Sequence, residues 1–218
     1  MKTKSFVWLM ALVMSLALVG CKGNDGNTPD DPSKEGVESN YKSPKIVSVT
    51  KPEKEKALDV LLEDGTKMHF YMDDYGELSI AYVWNKEVIQ GEANEYVRVY
   101  DKSSCVIPDY VTYGDRKYPV TQTYIQFMND GDKFLYGERY GNLTTITLPP
   151  TITYLRSCCN SLSHLTDIYC YAVEPPYFNH REVFFNGVEF TLHVPSGSKE
   201  KYTTSEWSEY AASIVSIE

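Results

Sequence analysis

Between Leu143 and Ile168 the apolar positions of the chain repeat. Leu143, Ile146 and Leu148 are spaced L-x-x-I-x-L, and Leu165 and Ile168 restate the L-x-x-I spacing 22 residues later. Phe190, Leu192 and Val194 alternate with polar residues in a third short run, 24 residues after the Ile168 strand. Upstream, Cys105 to Tyr113 reads like Thr147 to Tyr154: a strand closes on proline and a second β-branched run follows. Proline fits there because it cannot donate to a sheet ladder. A period in this range marks a repeat whose single unit cannot bury its own apolar face, so neighbouring units must stack and share one core. The predicted repeat core is Ile107, Leu143, Ile146, Leu148, Leu165, Ile168, Leu192 and Val194.

The pattern before the repeats is strand-like but different. Ile46–Val49 reads as a short strand. Leu58–Leu62 and Lys67–Met72 flank Glu63-Asp64-Gly65-Thr66, and an Asp-Gly between apolar runs predicts a hairpin. Asp73–Gly76 turns the chain into the alternating run Glu77–Trp84, a half-buried strand. These strands are read as a β-rich cap, residues 44–94, that closes the open end of a repeat domain at 95–218. Within that domain, Gly114-Asp115 predicts a hairpin between Tyr110–Tyr113 and Lys117–Thr121, and Met128–Gly141 reads as an insertion on one face. At the C-terminal end a short helix is predicted from Ser198 to Tyr202 with Ser196 or Ser198 as N-cap, then Trp207 packing the end and a last strand at Ser213–Ile217.

The runs Ile107–Thr121, Leu143–Thr153, Leu165–Pro176 and Leu192–Ser198, in that order, resemble the BspA-type leucine-rich repeat over roughly residues 95–218. The chain departs from that pattern at Arg156-Ser157-Cys158-Cys159, where an alanine-phenylalanine pair is usual. The resemblance implies a mainly β fold of the α/β repeat class: a short right-handed leucine-rich-repeat solenoid with an N-terminal β-rich cap and a small C-terminal helical cap. It also implies a cell-surface protein of the Bacteroides group engaged in adhesion or surface display, and no chemistry.

The first 20 residues stand outside the fold. Lys2 and Lys4 precede an unbroken apolar or small-residue run of 14 from Phe6 to Val19, the size of a signal-peptide core and too short to span a bilayer. It ends in Leu18-Val19-Gly20-Cys21, which looks like a bacterial lipobox with Cys21 as the lipidated residue. Removing residues 1–20 leaves 19 basic against 30 acidic residues, and multiple acyl chains would hold the mature chain on a membrane. Residues 21–43 form a tether poor in core-forming side chains, in which Asp25, Asp30 and Asp31 resemble an export signal or serve as a solvated spacer. The expected location is the cell envelope, as an outer-membrane lipoprotein exposed at the surface. The full-chain charge of -9 argues against nucleic acid as a partner.

Candidate chemistry is sparse. No nucleophile-elbow, zincin, phosphate-loop or dinucleotide-binding motif occurs. His69 and His193 lie in strand patterns that suit a hydrogen-bonded structural role. Apart from Cys21, the cysteines Cys105, Cys158, Cys159 and Cys170 suit buried free thiols better than disulfides or a zinc site with His164. Asp130, Asp132 and Glu138 offer hard oxygen ligands for calcium, though a solvated acidic loop fits the spacing better. Neither a metal nor a cofactor is expected.

Tyrosine is the feature with functional promise: nine of 18 fall between Tyr96 and Tyr154. The rigid, amphipathic ring suits protein or glycan recognition, although strands favour tyrosine anyway. Tyr113, Tyr118, Tyr136 and Tyr140 are the candidate ligand-binding residues. The sequence therefore reads as a non-catalytic, lipid-anchored binding or adhesion module for protein or glycan. The alternative is a structural or accessory subunit of a surface glycan-capture or fimbrial assembly. A hydrolase would need converging carboxylates or a Cys–His pair in a cleft.

Overall fold

The 22-residue period is a sheet register. In the computed structural model, Thr145, Ile146, Thr147 and Leu148 of β10 (Thr145–Leu148) pair in parallel with Asp167, Ile168, Tyr169 and Cys170 of β12 (Asp167–Cys170). The structure describes residues 39–53, 55–90, 95–127, 143–156, 162, 164–178 and 188–217. The signal and lipobox segment with Cys21, the Met128–Gly141 insertion with Tyr136, Tyr140 and the calcium candidates, and Cys158 and Cys159 lie outside them.

Flanking β10 and β12 are β7 (Ser104–Val106), β14 (Phe190–Pro195) and β15 (Ala211–Ile217), giving a five-stranded parallel sheet in the order β15-β14-β12-β10-β7. One row of aligned positions, Cys105–Ile146–Ile168–Leu192–Ile214, crosses it; the first four are buried and Ile214 is half-buried. Leu143, Leu165 and Ile107 are buried beside the strands, as are Leu148 and Val194 within them. The threonine after each leading leucine links the coils: Thr144 and Thr166 backbone N–H groups donate to Ser103 and Thr144 carbonyls, and their hydroxyls donate to the same oxygens.

After each of β7, β10 and β12 the chain passes through proline, at Pro108, at Pro149–Pro150 and at Pro175–Pro176, and enters a second sheet. This sheet contains β1 (Ile46–Thr50), β2 (Ala57–Leu62), β3 (Lys67–Met72), β4 (Leu78–Trp84), β9 (Arg116–Phe127), β11 (Tyr154–Arg156) and β13 (Tyr177–Phe178) in the order β1-β2-β3-β4-β9-β11-β13, with β8 (Tyr110–Tyr113) paired to β9. Strands β1 to β4 are an antiparallel meander, whereas β4, β9, β11 and β13 run parallel. The N-terminal strands thus continue the repeat's own second sheet, through the β4–β9 pairing, and the edge of β9 is covered by hydrogen-bonded strand. Strands β5 (Lys86–Gln90) and β6 (Glu95–Val99) form a separate antiparallel pair.

Buried residues from both sheets form one cluster, in which Leu58, Phe70, Ile80, Leu155 and Phe178 of the second sheet join the repeat core of the first; the buried Thr123 stands between Ile80 and Leu155 in their row. Both Asp-Gly and Gly-Asp turns are formed as the sequence indicates: Gly65 and Gly114 take positive φ, and Leu61 pairs with Lys67 and Tyr113 with Arg116. Tyr41 lies within the stretch read as tether, yet its hydroxyl donates to the Ile107 carbonyl and its ring meets Tyr171 edge-on at 5.3 Å. Burial raises its phenol above the usual tyrosine range.

The fold is mainly β with parallel strands, and α1 (Lys199–Thr203) is the one α-helix among the described residues. Ser198 occupies the N-cap position, but its hydroxyl caps nothing. A 3-10 turn over Ser196–Ser198 puts its backbone in the helical region (φ -107, ψ -6), where the side chain no longer reaches the N2 or N3 amide, and Ser198 Oγ is buried without a partner among the described residues. Trp207 is fully buried, donates from Nε1 to the Pro176 carbonyl at 3.1 Å, and packs 4.5 Å from Phe178.

Two stability measurements follow from this packing. Ile168, 2 % exposed and aligned between Ile146 and Leu192, has no side on which a cavity could collapse. Ile168→Ala is expected to lower unfolding free energy by about 2–5 kcal/mol in urea titration. Ser198→Ala is expected to leave it unchanged or raise it by about 1 kcal/mol, because the substitution removes an unsatisfied hydroxyl and no cap.

Candidate functional site

Alternation on the eight-stranded sheet sends one set of side chains inward and leaves a second set on the outer face. Between the buried positions Phe70, Ile80, Thr123, Leu155 and Phe178 stand Tyr71, Ser79, Gln122, Tyr154 and Tyr177, which the register also aligns in one row across β3, β4, β9, β11 and β13. Tyr71 and Tyr177 are 45 % and 55 % exposed, and the three between them are half-buried. A β-bulge is needed to complete this row. Leu78 pairs with Val120 and the next residue, Ser79, pairs with Gln122, so Thr121 is the extra residue on β9. Without it Gln122 would share the inward face of Val120; with it, Gln122 lies on the outer face, which is how bulges re-aim side chains. Thr121 is held by its hydroxyl, which donates to Glu77 Oε2 at 2.8 Å.

Two aromatic groups flank the polar centre of the row. Tyr154 and Tyr177 lie nearly parallel, 13° apart in plane with centroids at 5.7 Å. On the other side Tyr71 and Tyr82 meet edge-on at 6.3 Å, and His69 sits 5.0 Å from Tyr71 and 5.7 Å from Tyr82. His69 Nδ1 contacts Asp59 Oδ1 at 2.6 Å, and its Nε2 lies 3.6 Å from Glu55, so carboxylates orient the ring.

The outer face of the five-stranded sheet is chemically different. Its aligned positions are Thr145–Asp167–Thr191–Ser213 and Thr147–Tyr169–His193–Val215. His193 Nε2 contacts Asp167 Oδ1 at 2.7 Å and its ring stacks on Tyr169 at 4.1 Å. The hydrogen bond to His193, then that from Thr166, holds the Asp167 carboxyl below its ordinary range. Both strand histidines therefore have the hydrogen-bonded setting their sequence context suggests.

The structure separates the candidate tyrosines. Tyr113 is 39 % exposed at the β8–β9 hairpin, paired with Arg116. Tyr118 instead packs against the core, with the Arg116 guanidinium 5.0 Å over its ring; that guanidinium also covers Gly76. Lys117 Nζ stands 3.8 Å over the Tyr110 ring. Tyr71, Ser79, Gln122, Tyr154 and Tyr177 were not singled out by sequence reading as a site. Strands β11 and β13, which carry Tyr154 and Tyr177, are too short to show a period.

Cys105 and Cys170 are free and fully buried, and burial pushes their thiols up to about 12 and about 11, so both stay protonated at neutral pH and are poor nucleophiles. Cys170 Sγ and the Tyr202 hydroxyl are 3.2 Å apart, and that hydroxyl donates to the Ala172 carbonyl. Among the described residues no group of three His, Cys, Asp or Glu side chains could hold a metal ion.

No protein-family model and no curated protein matches the sequence. Among solved structures, the chain is similar to a leucine-rich cell surface protein from Faecalibacterium prausnitzii A2-165, at 11 % identity and a TM-score of 0.33 over 78 % of this chain and 43 % of that one. It is also similar to the pneumococcal vaccine antigen PcpA, at 15 % identity and a TM-score of 0.32 over 79 % of this chain and 39 % of that one. The matches thus cover less than half the length of either protein.

The lowered Asp167 carboxyl sets a pH dependence. A depressed folded-state pKa contributes stability above the unfolded value of about 4 that is lost as pH falls through the folded value. Melting temperatures measured from pH 6 down to pH 2 are expected to fall in the acid range for the wild type. Asp167→Asn is expected to melt lower at neutral pH and to fall less steeply below about pH 4.

Proposed function

We propose that this chain is a non-catalytic cell-envelope lipoprotein that binds protein or glycan through a repeat domain. The single observation that carries this reading is the outer row Tyr71–Ser79–Gln122–Tyr154–Tyr177, which combines rigid aromatic area with neutral hydrogen-bonding groups on a sheet rather than on a loop. Support for the absence of catalysis comes from the missing sequence motifs and from the protonated, buried state of Cys105 and Cys170. The acidic balance of the chain disfavours nucleic acid.

The finer architecture belongs to the same proposal: a short right-handed leucine-rich-repeat solenoid of the BspA type, an N-terminal β-rich cap over residues 44–94, and a small helical cap at the C-terminal end. So does the location. Cys21 carries the lipid, the polar stretch between it and the docked Tyr41 spans from the outer membrane, and the repeats stand at the cell surface, supported by the lipobox-like Leu18–Cys21 and the composition of that stretch.

Intact cells carrying the wild type, Cys21→Ser or no copy of the gene would be washed over immobilised matrix proteins and polysaccharides. Retention on at least one surface is expected for the wild type alone, together with release of the chain by added protease. Equal retention of the three strains, or protection of the wild-type chain from protease, would overturn the proposal.

A further inference from the structure

We infer that the outer row of the eight-stranded sheet is a binding site for a neutral polysaccharide lying across the strands; this rests on the binding-module reading and names its ligand class. The register aligns five side chains, Tyr71, Ser79, Gln122, Tyr154 and Tyr177, on five successive strands. Strands spaced about 4.8 Å apart make the row roughly 19 Å long, so it matches an extended chain molecule better than a single small ligand.

Charge selects among chain molecules. The row holds no aspartate, glutamate, histidine, lysine or arginine, and the protein as a whole carries -9. An anionic polysaccharide or nucleic acid would find no counter-charge there and a repulsive field around it. A neutral ligand meets no such penalty. Of the ionisable residues beside the row, Asp59 and His69 contact each other at one flank, and Glu77 accepts a hydrogen bond from the Thr121 hydroxyl next to Gln122.

Side-chain chemistry selects against a folded protein partner. Protein interfaces concentrate their energy in dehydrated aromatic, aliphatic and arginine anchors. This row has no aliphatic member and no arginine, and its centre is a hydroxyl and a carboxamide. A pyranose has the complementary surface: a face of C–H groups that packs on an aromatic plane, and a rim of hydroxyls that both donate and accept. Ser79 and Gln122 each offer donor and acceptor capacity to such a rim. Tyr154 and Tyr177, already parallel, and Tyr71, at the far end, supply rigid planes at small entropic cost. The bulge at Thr121 is the structural device that puts the carboxamide between them.

The test is affinity electrophoresis of the detergent-solubilised full-length chain in gels containing hydroxyethyl cellulose, dextran, xylan, mannan, heparin or polygalacturonate, beside a solid-phase assay with collagen and laminin. At least one neutral polysaccharide is expected to retard the protein, and neither polyanion to do so. Tyr177→Ala and Gln122→Ala are each expected to weaken that binding tenfold or more, whereas Tyr177→Phe, which keeps the plane, is expected to bind within about threefold of wild type. Melting temperatures of the variants guard against unfolding, and Tyr113→Ala, outside the row, is expected to bind as wild type. Neutral polysaccharides that fail to bind, binding undiminished by the row substitutions, or retardation by the polyanions alone would overturn the inference. Binding to collagen or laminin with no polysaccharide bound would overturn it while leaving the binding-module reading intact; binding to nothing would sink both.

Discussion

The parallel register between strands 22 residues apart is the constraint on which the remainder of the structure depends. One coil supplies only a few apolar side chains, such as Leu165, Ile168 and Cys170, and the entropy of ordering it exceeds what those can return by themselves. Aligning Ile146 with Ile168, and Ile168 with Leu192, gives each buried side chain neighbours on both sides and makes one core out of several incomplete ones. A one-residue slip would exchange Ile168 with Tyr169 or Asp167, placing a phenol or a carboxylate in the interior. Register is therefore enforced by the cost of the alternatives.

Hydroxyl groups reinforce that register outside the core. Thr144 and Thr166 each bond the coil before by both amide and hydroxyl, and Thr151 does similar work at the corner, donating to the Val120 and Asp109 carbonyls. Chain leaving a strand would otherwise expose unpaired carbonyls where the ladder ends. Threonine resolves this while favouring the extended backbone that both sheets require. The C-terminal end is closed differently, with the Trp207 indole over Phe178 and the Tyr202 hydroxyl bonded to the Ala172 carbonyl.

What could be read from the sequence divides along physical lines. The stacking of β10 on β12 was legible because L-x-x-I recurs 22 residues apart and each inward position must be apolar. The β2–β3 and β8–β9 hairpins were legible because Gly65 and Gly114 occupy left-handed backbone that few other residues accept. The joining of β4 to β9 was not, since parallel pairing between distant segments leaves no local mark. Ser196 and Ser198 were equal candidates for the N-cap; Ser198 holds that position, but the 3-10 turn before it cancels the capping geometry. The aromatic face was legible only as composition. Tyr118 and Tyr113 are two tyrosines of one hairpin, one turned to the core and one exposed, and the bulge that decides the parity of Gln122 has no signature in residue type.

That bulge links the repeat to the face it displays. Beyond Val120 the strand must still deliver Thr123 to the interior, where it aligns with Ile80 on one side and Leu155 on the other. Strict alternation from Val120 would bring Gln122 inward and Thr123 outward, so the core and the outer row would fail together. Inserting Thr121 corrects both at once, and its position is fixed by the hydrogen bond to Glu77 on the turn that leads into β4. The residue that keeps the core in register is thus the one that places the carboxamide beside the tyrosines. A change at this point that spared stability but shifted the strand by one residue would remove the outer row while leaving every tyrosine in the sequence.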